Sequence, residues 1–230
     1  MDSLVLSAIG LGLVLGLKHA TDPDHIVAVS TIVSERRGLL PSAMVGLSWG
    51  IGHSTTLLLI AVPVLLFGLT LPEGVTSFAE GGVGVVLVIL GLVTLRDLRR
   101  QRVHVHVHDH DDAAHLHFHS HGESAGHQHG HLSLRARSVV VGLFQGVAGS
   151  TALMVFVLAT IDSPLAGLLY VVAYDLAVII GILVFSLVIS LPFTWAPSRV
   201  PALNTGLRLV ASLASVLLGF VVVWGALVGA

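Results

Sequence analysis

The chain reads as an all-α membrane protein of about six transmembrane helices, from its composition, the length of its apolar runs and the sidedness of its basic residues. Of 230 residues, 54% are hydrophobic and 10% charged, with a mean hydropathy of +0.94; a soluble domain needs far more charge to cover its surface. A hydrocarbon core of roughly 30 Å takes about 20 apolar residues to cross. Six runs qualify: about 3 to 34, 40 to 69, 75 to 96, 137 to 160, 164 to 191 and 204 to 228. Arg36 and Arg37, then Arg96, Arg99, Arg100 and Arg102, then Arg135 and Arg137, then Arg199 fall on one side, and the loops around Leu71 to Gly74 and Ile161 to Pro164 carry no Lys or Arg. The positive-inside rule places both termini outside and the long middle loop in the cytoplasm.

The first run is too long for one straight span. Pro23 removes a backbone donor and clashes with the carbonyl of His19, so a broken or strongly tilted helix is expected there. Gly38 can close it, and Pro41 suits the first turn of the second helix. Asp162-Ser163-Pro164 reads as a cap followed by a proline at the first helical position. The chain divides into a first transmembrane half (1–96), a His-rich cytoplasmic loop expected to be flexible (97–136) and a second half (137–230). Three spans on each side of the loop imply two halves of inverted topology. Gly12/Gly16 and Gly142/Gly146 recur in the first span of each half, a spacing that lets helices approach closely.

A net charge of -2 gives no field that would attract nucleic acid. No cysteine is present, which removes disulfides and thiolate ligands, so any metal must sit on nitrogen and oxygen. Met1-Asp2-Ser3 lacks the basic start of a cleaved secretory signal, and the first apolar segment is expected to be permanent.

Lys18-His19-Ala20-Thr21-Asp22-Pro23-Asp24-His25 interrupts the first run. Two imidazoles and two carboxylates in a membrane segment are costly unless they face one another, water or a cation. On an intact helix His19, Asp22 and His25 share an arc of about 120°, while Asp24 points elsewhere unless Pro23 breaks the helix, which would also free the His19 carbonyl. His53 lies in Gly52-His53-Ser54-Thr55-Thr56, where the hydroxyls can bond their own backbone four residues back. Asp175, after Tyr174, reads as the only other carboxylate deep in a predicted span. It is a candidate for proton coupling or a buried partner for Lys18. Gln145, Ser150 and Thr151 are weaker candidates to line the same cavity.

The loop holds eleven of the fourteen histidines: His104, His106, His108, His110, His115, His117, His119, His121, His127, His129 and His131. With Asp109, Asp111, Asp112 and Glu123 beside them, these read as a chelator of divalent transition metals.

His19-Ala20-Thr21-Asp22-Pro23-Asp24-His25-Ile26 and Gly52-His53-Ser54-Thr55 resemble the signature of the nickel/cobalt transporter family, His-Ala-x-Asp-Ala-Asp-His-Ile followed by Gly-His-Ser-Thr in the next helix. The resemblance implies that His19, Asp22, Asp24, His25 and His53 form a metal path. It covers the first third of the chain. The family usually has eight spans, one preceding the His-Asp helix. It also carries an Asp-Thr-Ala-Thr-Glu type motif where this chain has Gly146-Val147-Ala148-Gly149-Ser150-Thr151, and an alanine where this chain has Pro23. The chain is therefore more similar to the shorter urease-accessory or nickel-transport-like relatives, and its His-rich loop between two halves resembles nickel/cobalt efflux proteins.

The expectation is a multi-pass protein of a bacterial or archaeal cell membrane that moves Ni²⁺ or Co²⁺ in an undetermined direction, with Zn²⁺ as an alternative cargo and no permanent cofactor. A membrane-bound accessory protein or metallochaperone is the rival, with nickel-enzyme maturation proteins as partners. No His-Glu-x-x-His or repeated histidine box points to a metalloenzyme.

Overall fold

A computed structural model describes residues 3–35, 38–69, 73–100, 105–108, 115–118, 133–147, 151–199 and 201–229. Eight helices are present among them: α1 (Ser3–Ala20), α2 (Pro23–Ser34), α3 (Leu39–Phe67), α4 (Glu73–Arg100), α5 (Leu134–Gln145), α6 (Thr151–Ala159), α7 (Pro164–Arg199) and α8 (Pro201–Val228). Five are long and apolar enough to cross a membrane: α1 and the apolar stretches of α3, α4, α7 and α8. The fold is that of a multi-pass membrane protein.

The six expected runs map onto these helices with two breaks. The first is the one Pro23 dictates: α1 stops at Ala20 and α2 restarts with Pro23 in its first turn. Asp22 between them is extended at φ -60°, ψ 139°, the conformation a following proline imposes. The second corrects the expected span 137 to 160, which is two short helices, α5 and α6. Glycines at 142, 146 and 149 disfavour a continuous helix there, and neither piece alone is long enough to span. At the start of α7, Ser163 Oγ accepts from the Ala166 backbone N–H at 3.4 Å ahead of Pro164, as its sequence implies.

Within the loop, β1 (Val105–His108) and β2 (His115–Phe118) pair antiparallel, with His106 opposite His117 and His108 opposite His115. The remaining loop histidines, His104, His110, His119, His121, His127, His129 and His131, lie outside the described residues, as does Ser150.

The outside is apolar and the inside partly polar, as a lipid solvent requires. Phe220, Trp224 and Leu227 of α8 are exposed, whereas His19, His25, His53, Gln145 and Asp175 are buried. Close backbone contact replaces hydrophobic drive between helices. A Cβ at Gly12 or Gly16 would strike the carbonyls of Tyr170 or Tyr174, pinning α1 to α7; one at Gly142 or Gly146 would strike those of Trp49 or His53, pinning α5 to α3. Gly84 and Gly219 do the same reciprocally between α4 and α8, where a Cβ added at either would lie 2.7 or 2.6 Å from the other's carbonyl oxygen. The glycine pair of each half thus clasps the middle helix of the other.

Candidate metal centre

Three imidazoles converge where α1 breaks. His19 ends α1, His25 lies in the first turn of α2 and His53 lies near the middle of α3; their exposures are 2%, 1% and 0%. One ring nitrogen from each lies within 4.8 Å of the others. Ring centroids are 4.5 Å apart for His19 and His25, 5.0 Å for His19 and His53, and 4.9 Å for His25 and His53.

Hydrogen bonding orients the rings. His19 Nδ1 lies 2.9 Å from Asp22 Oδ2. An ionised carboxylate only accepts, so Nδ1 carries the proton and Nε2 keeps its lone pair. His25 Nδ1 donates to the His19 carbonyl at 3.0 Å, which leaves the lone pair of the neutral ring on His25 Nε2 by the same logic. The helix break exposes that carbonyl, so Pro23 both ends α1 and supplies the acceptor that orients His25. His19 Nε2 and His53 Nε2 face each other at 2.9 Å. Two nitrogens at right angles on metal bonds of about 2.1 Å stand roughly 3 Å apart, so a metal fits where the hydrogen bond now lies. The buried Nδ1 of His53 has no hydrogen-bond partner among the described residues.

Aromatic groups wall the triad. Trp49 stacks on His53 at 4.7 Å and 12° and meets His25 edge-on at 4.8 Å; Tyr174 lies against His19 at 5.6 Å. Trp49 Nε1 donates to Gln145 Oε1 at 2.7 Å, and Gln145 Nε2 donates to the Asp24 carbonyl at 3.1 Å and Asp24 Oδ2 at 3.3 Å. A residue of the second half thus braces two residues of the first. Its sequence signal was an amide in an apolar helix; that of Trp49 was its place one turn before His53.

The other expected residues are placed as follows. Asp22 holds His19. Asp24 Oδ2 lies 3.5 Å from His25 Nε2, at the edge of the triad. Asp175 is 5% exposed and has Ser54 of α3 as its polar neighbour; Lys18 is exposed. Of the three hydroxyls after His53, Thr55 bonds the Ile51 carbonyl four residues back, Thr56 bonds the Leu143 carbonyl of α5 instead, and Ser54 faces Asp175 of α7. Two groups went unread in the sequence. Glu35 Oε2 pairs with Arg137 Nη1 at 2.9 Å and Glu35 Oε1 accepts from Thr94 at 2.8 Å, tying α2, α4 and α5 together. Glu80 is a second carboxylate inside a predicted span, which corrects the reading of Asp175 as the only one.

The chain is 30% identical over 217 residues to the urease accessory protein UreH of Bacillus sp. strain TB-90, covering 94% of this chain and 91% of that protein. It belongs to the UreH family. This UreH-family chain is also 34% identical over 70 residues to the high-affinity nickel transport protein of Cupriavidus necator, covering 30% of this chain and 20% of that one. The resemblance to nickel transporters read from the His-Asp motif is therefore upheld. No family model matches the chain, and no solved structure matches it.

Proposed function

We propose that this UreH-family protein carries Ni²⁺, or Co²⁺ as the closest alternative, across the membrane through the histidine triad. The observation that carries the reading is the convergence of three buried, pre-oriented imidazoles from α1, α2 and α3. Borderline dications bind neutral imidazole well, and the carboxylates of Asp22 and Asp24 offset the cost of bringing a double charge into a low dielectric. Rocking of the two clasped halves would open the site to either side, with Asp175 as candidate proton carrier. Nickel-63 flux in cells carrying His25→Ala or His53→Ala tests the site. Loss of at least nine-tenths of the flux is expected, and wild-type flux in both variants rejects it.

A second reading is favoured by the similarity to a urease accessory protein over nearly the whole chain: delivery of nickel to an enzyme or its maturation proteins. The His-rich loop then takes the lead role. Deleting residues 104–131 separates the two, since a carrier keeps its transmembrane flux and a delivery protein loses nickel transfer.

A further inference from the structure

A cavity of about 320 Å³ lies between α2, α4 and α8, and its two ionisable lining residues are Asp24 and Glu80. Most of the remaining lining is apolar, including Val83, Leu218 and Val222. The cavity reaches Gly225 and Ala226 near the end of α8, the side opposite the basic loops. At the other end, Asp24 Oδ2 lies 3.5 Å from His25 Nε2 and is held by Gln145 from the second half. Asp24 therefore links the cavity to three histidine nitrogens placed so that they could hold a metal ion.

We infer that Glu80 and Asp24 form an outer site that holds a hydrated divalent cation before it reaches the histidines. Glu80 stands seven residues into α4, about 10 Å from its start, beyond the first turn where a helix dipole stabilises a carboxylate. An acid in an apolar groove of a membrane-spanning helix is costly without a cationic or aqueous partner. Six waters occupy about 180 Å³ at roughly 30 Å³ each, so a hydrated ion fits without shedding its shell. Asp24 then passes the ion to His25, where imidazole replaces water. The inference rests on the proposed transport through the triad and adds the route to it.

The experiment compares wild type, Glu80→Gln, Glu80→Asp and the double variant Glu80→Gln/Val222→Glu, which returns a carboxylate to the same cavity from α8. Nickel-63 transport is measured with metal added outside cells and, separately, outside everted vesicles. The visible spectrum of Co²⁺ bound to each purified full-length variant reports on the histidines independently. Glu80→Gln is expected to raise the KM for metal on the cell exterior about tenfold, the scale of electrostatic focusing in a charged cleft. Vmax should stay within about twofold, the everted-vesicle KM unchanged and the Co²⁺ spectrum intact. Glu80→Asp and the double variant should restore most of the KM. An unchanged exterior KM in Glu80→Gln overturns the outer site, and so does an altered Co²⁺ spectrum, which would make Glu80 part of the histidine centre. If His25→Ala keeps wild-type flux while Glu80→Gln raises KM, the triad reading fails and the outer site stands.

Discussion

Asp22 shows how much of this site depends on one hydrogen bond. Its carboxylate sets the tautomer of His19, and an outer partner of a ligating histidine is commonly worth about 10- to 100-fold in metal affinity. Asp22→Asn should weaken Ni²⁺ binding by about that factor while leaving the helical circular dichroism unchanged; titration of purified protein with nickel decides it. Gln145 acts at one further remove, through Trp49 and Asp24. Gln145→Leu leaves the buried indole N–H of Trp49 without an acceptor, at a cost of about 1–3 kcal/mol, and should lower the detergent-solubilised Tm. The His19, Asp22 and His25 grouping was legible because its members are six residues apart or fewer. Gln145 could be read only as an amide in an apolar helix, since its partners are about a hundred residues away.

Among the elements, the break between α1 and α2 does the most for the site. Proline at position 23 forces it, so the expectation of a broken first helix held. A longer-range feature ended the expected span at 137 to 160, where the glycines that let α5 lie against α3 also weaken its continuation. Gly142 is the sharper test. Any side chain there meets the Trp49 carbonyl, and overpacking of this kind costs about 1–3 kcal/mol or more. Gly142→Leu should therefore displace Trp49 and His53 together, lowering both Tm and nickel flux, whereas Gly10→Leu, with open space around it, should leave both near wild type. The Glu35–Arg137 pair gives a second test, because removing one member of a largely buried ion pair strands the other. Glu35→Gln should lower the Tm measurably, and Glu35→Gln/Arg137→Met should recover most of the loss.

The whole molecule joins its halves through reciprocal contacts: α1 on α7, α5 on α3, and α4 on α8. The histidines belong to the first half alone, while Gln145 and Tyr174 of the second complete the wall around them. On the proposed reading, metal on the three histidines would tie α1, α2 and α3 together against that wall. Saturating Ni²⁺ is expected to raise the Tm of the wild-type protein by several degrees and that of His53→Ala by much less, as scanning fluorimetry in detergent would show.

Composition and run length by themselves determined that this is a helical membrane protein, because lipid admits only long apolar segments with satisfied backbones. The residues from His19 to His25 marked a polar cluster inside it, because ionisable groups in an apolar segment need one another, water or a cation as a partner. Tertiary structure alone decided that His53 meets His19 edge to edge, that Gln145 reaches Asp24, and that Glu80 shares a cavity with it. Those meetings depend on which backbones come into contact across the membrane, and that is a property of the packed glycines and their distant carbonyls rather than of any local stretch of chain.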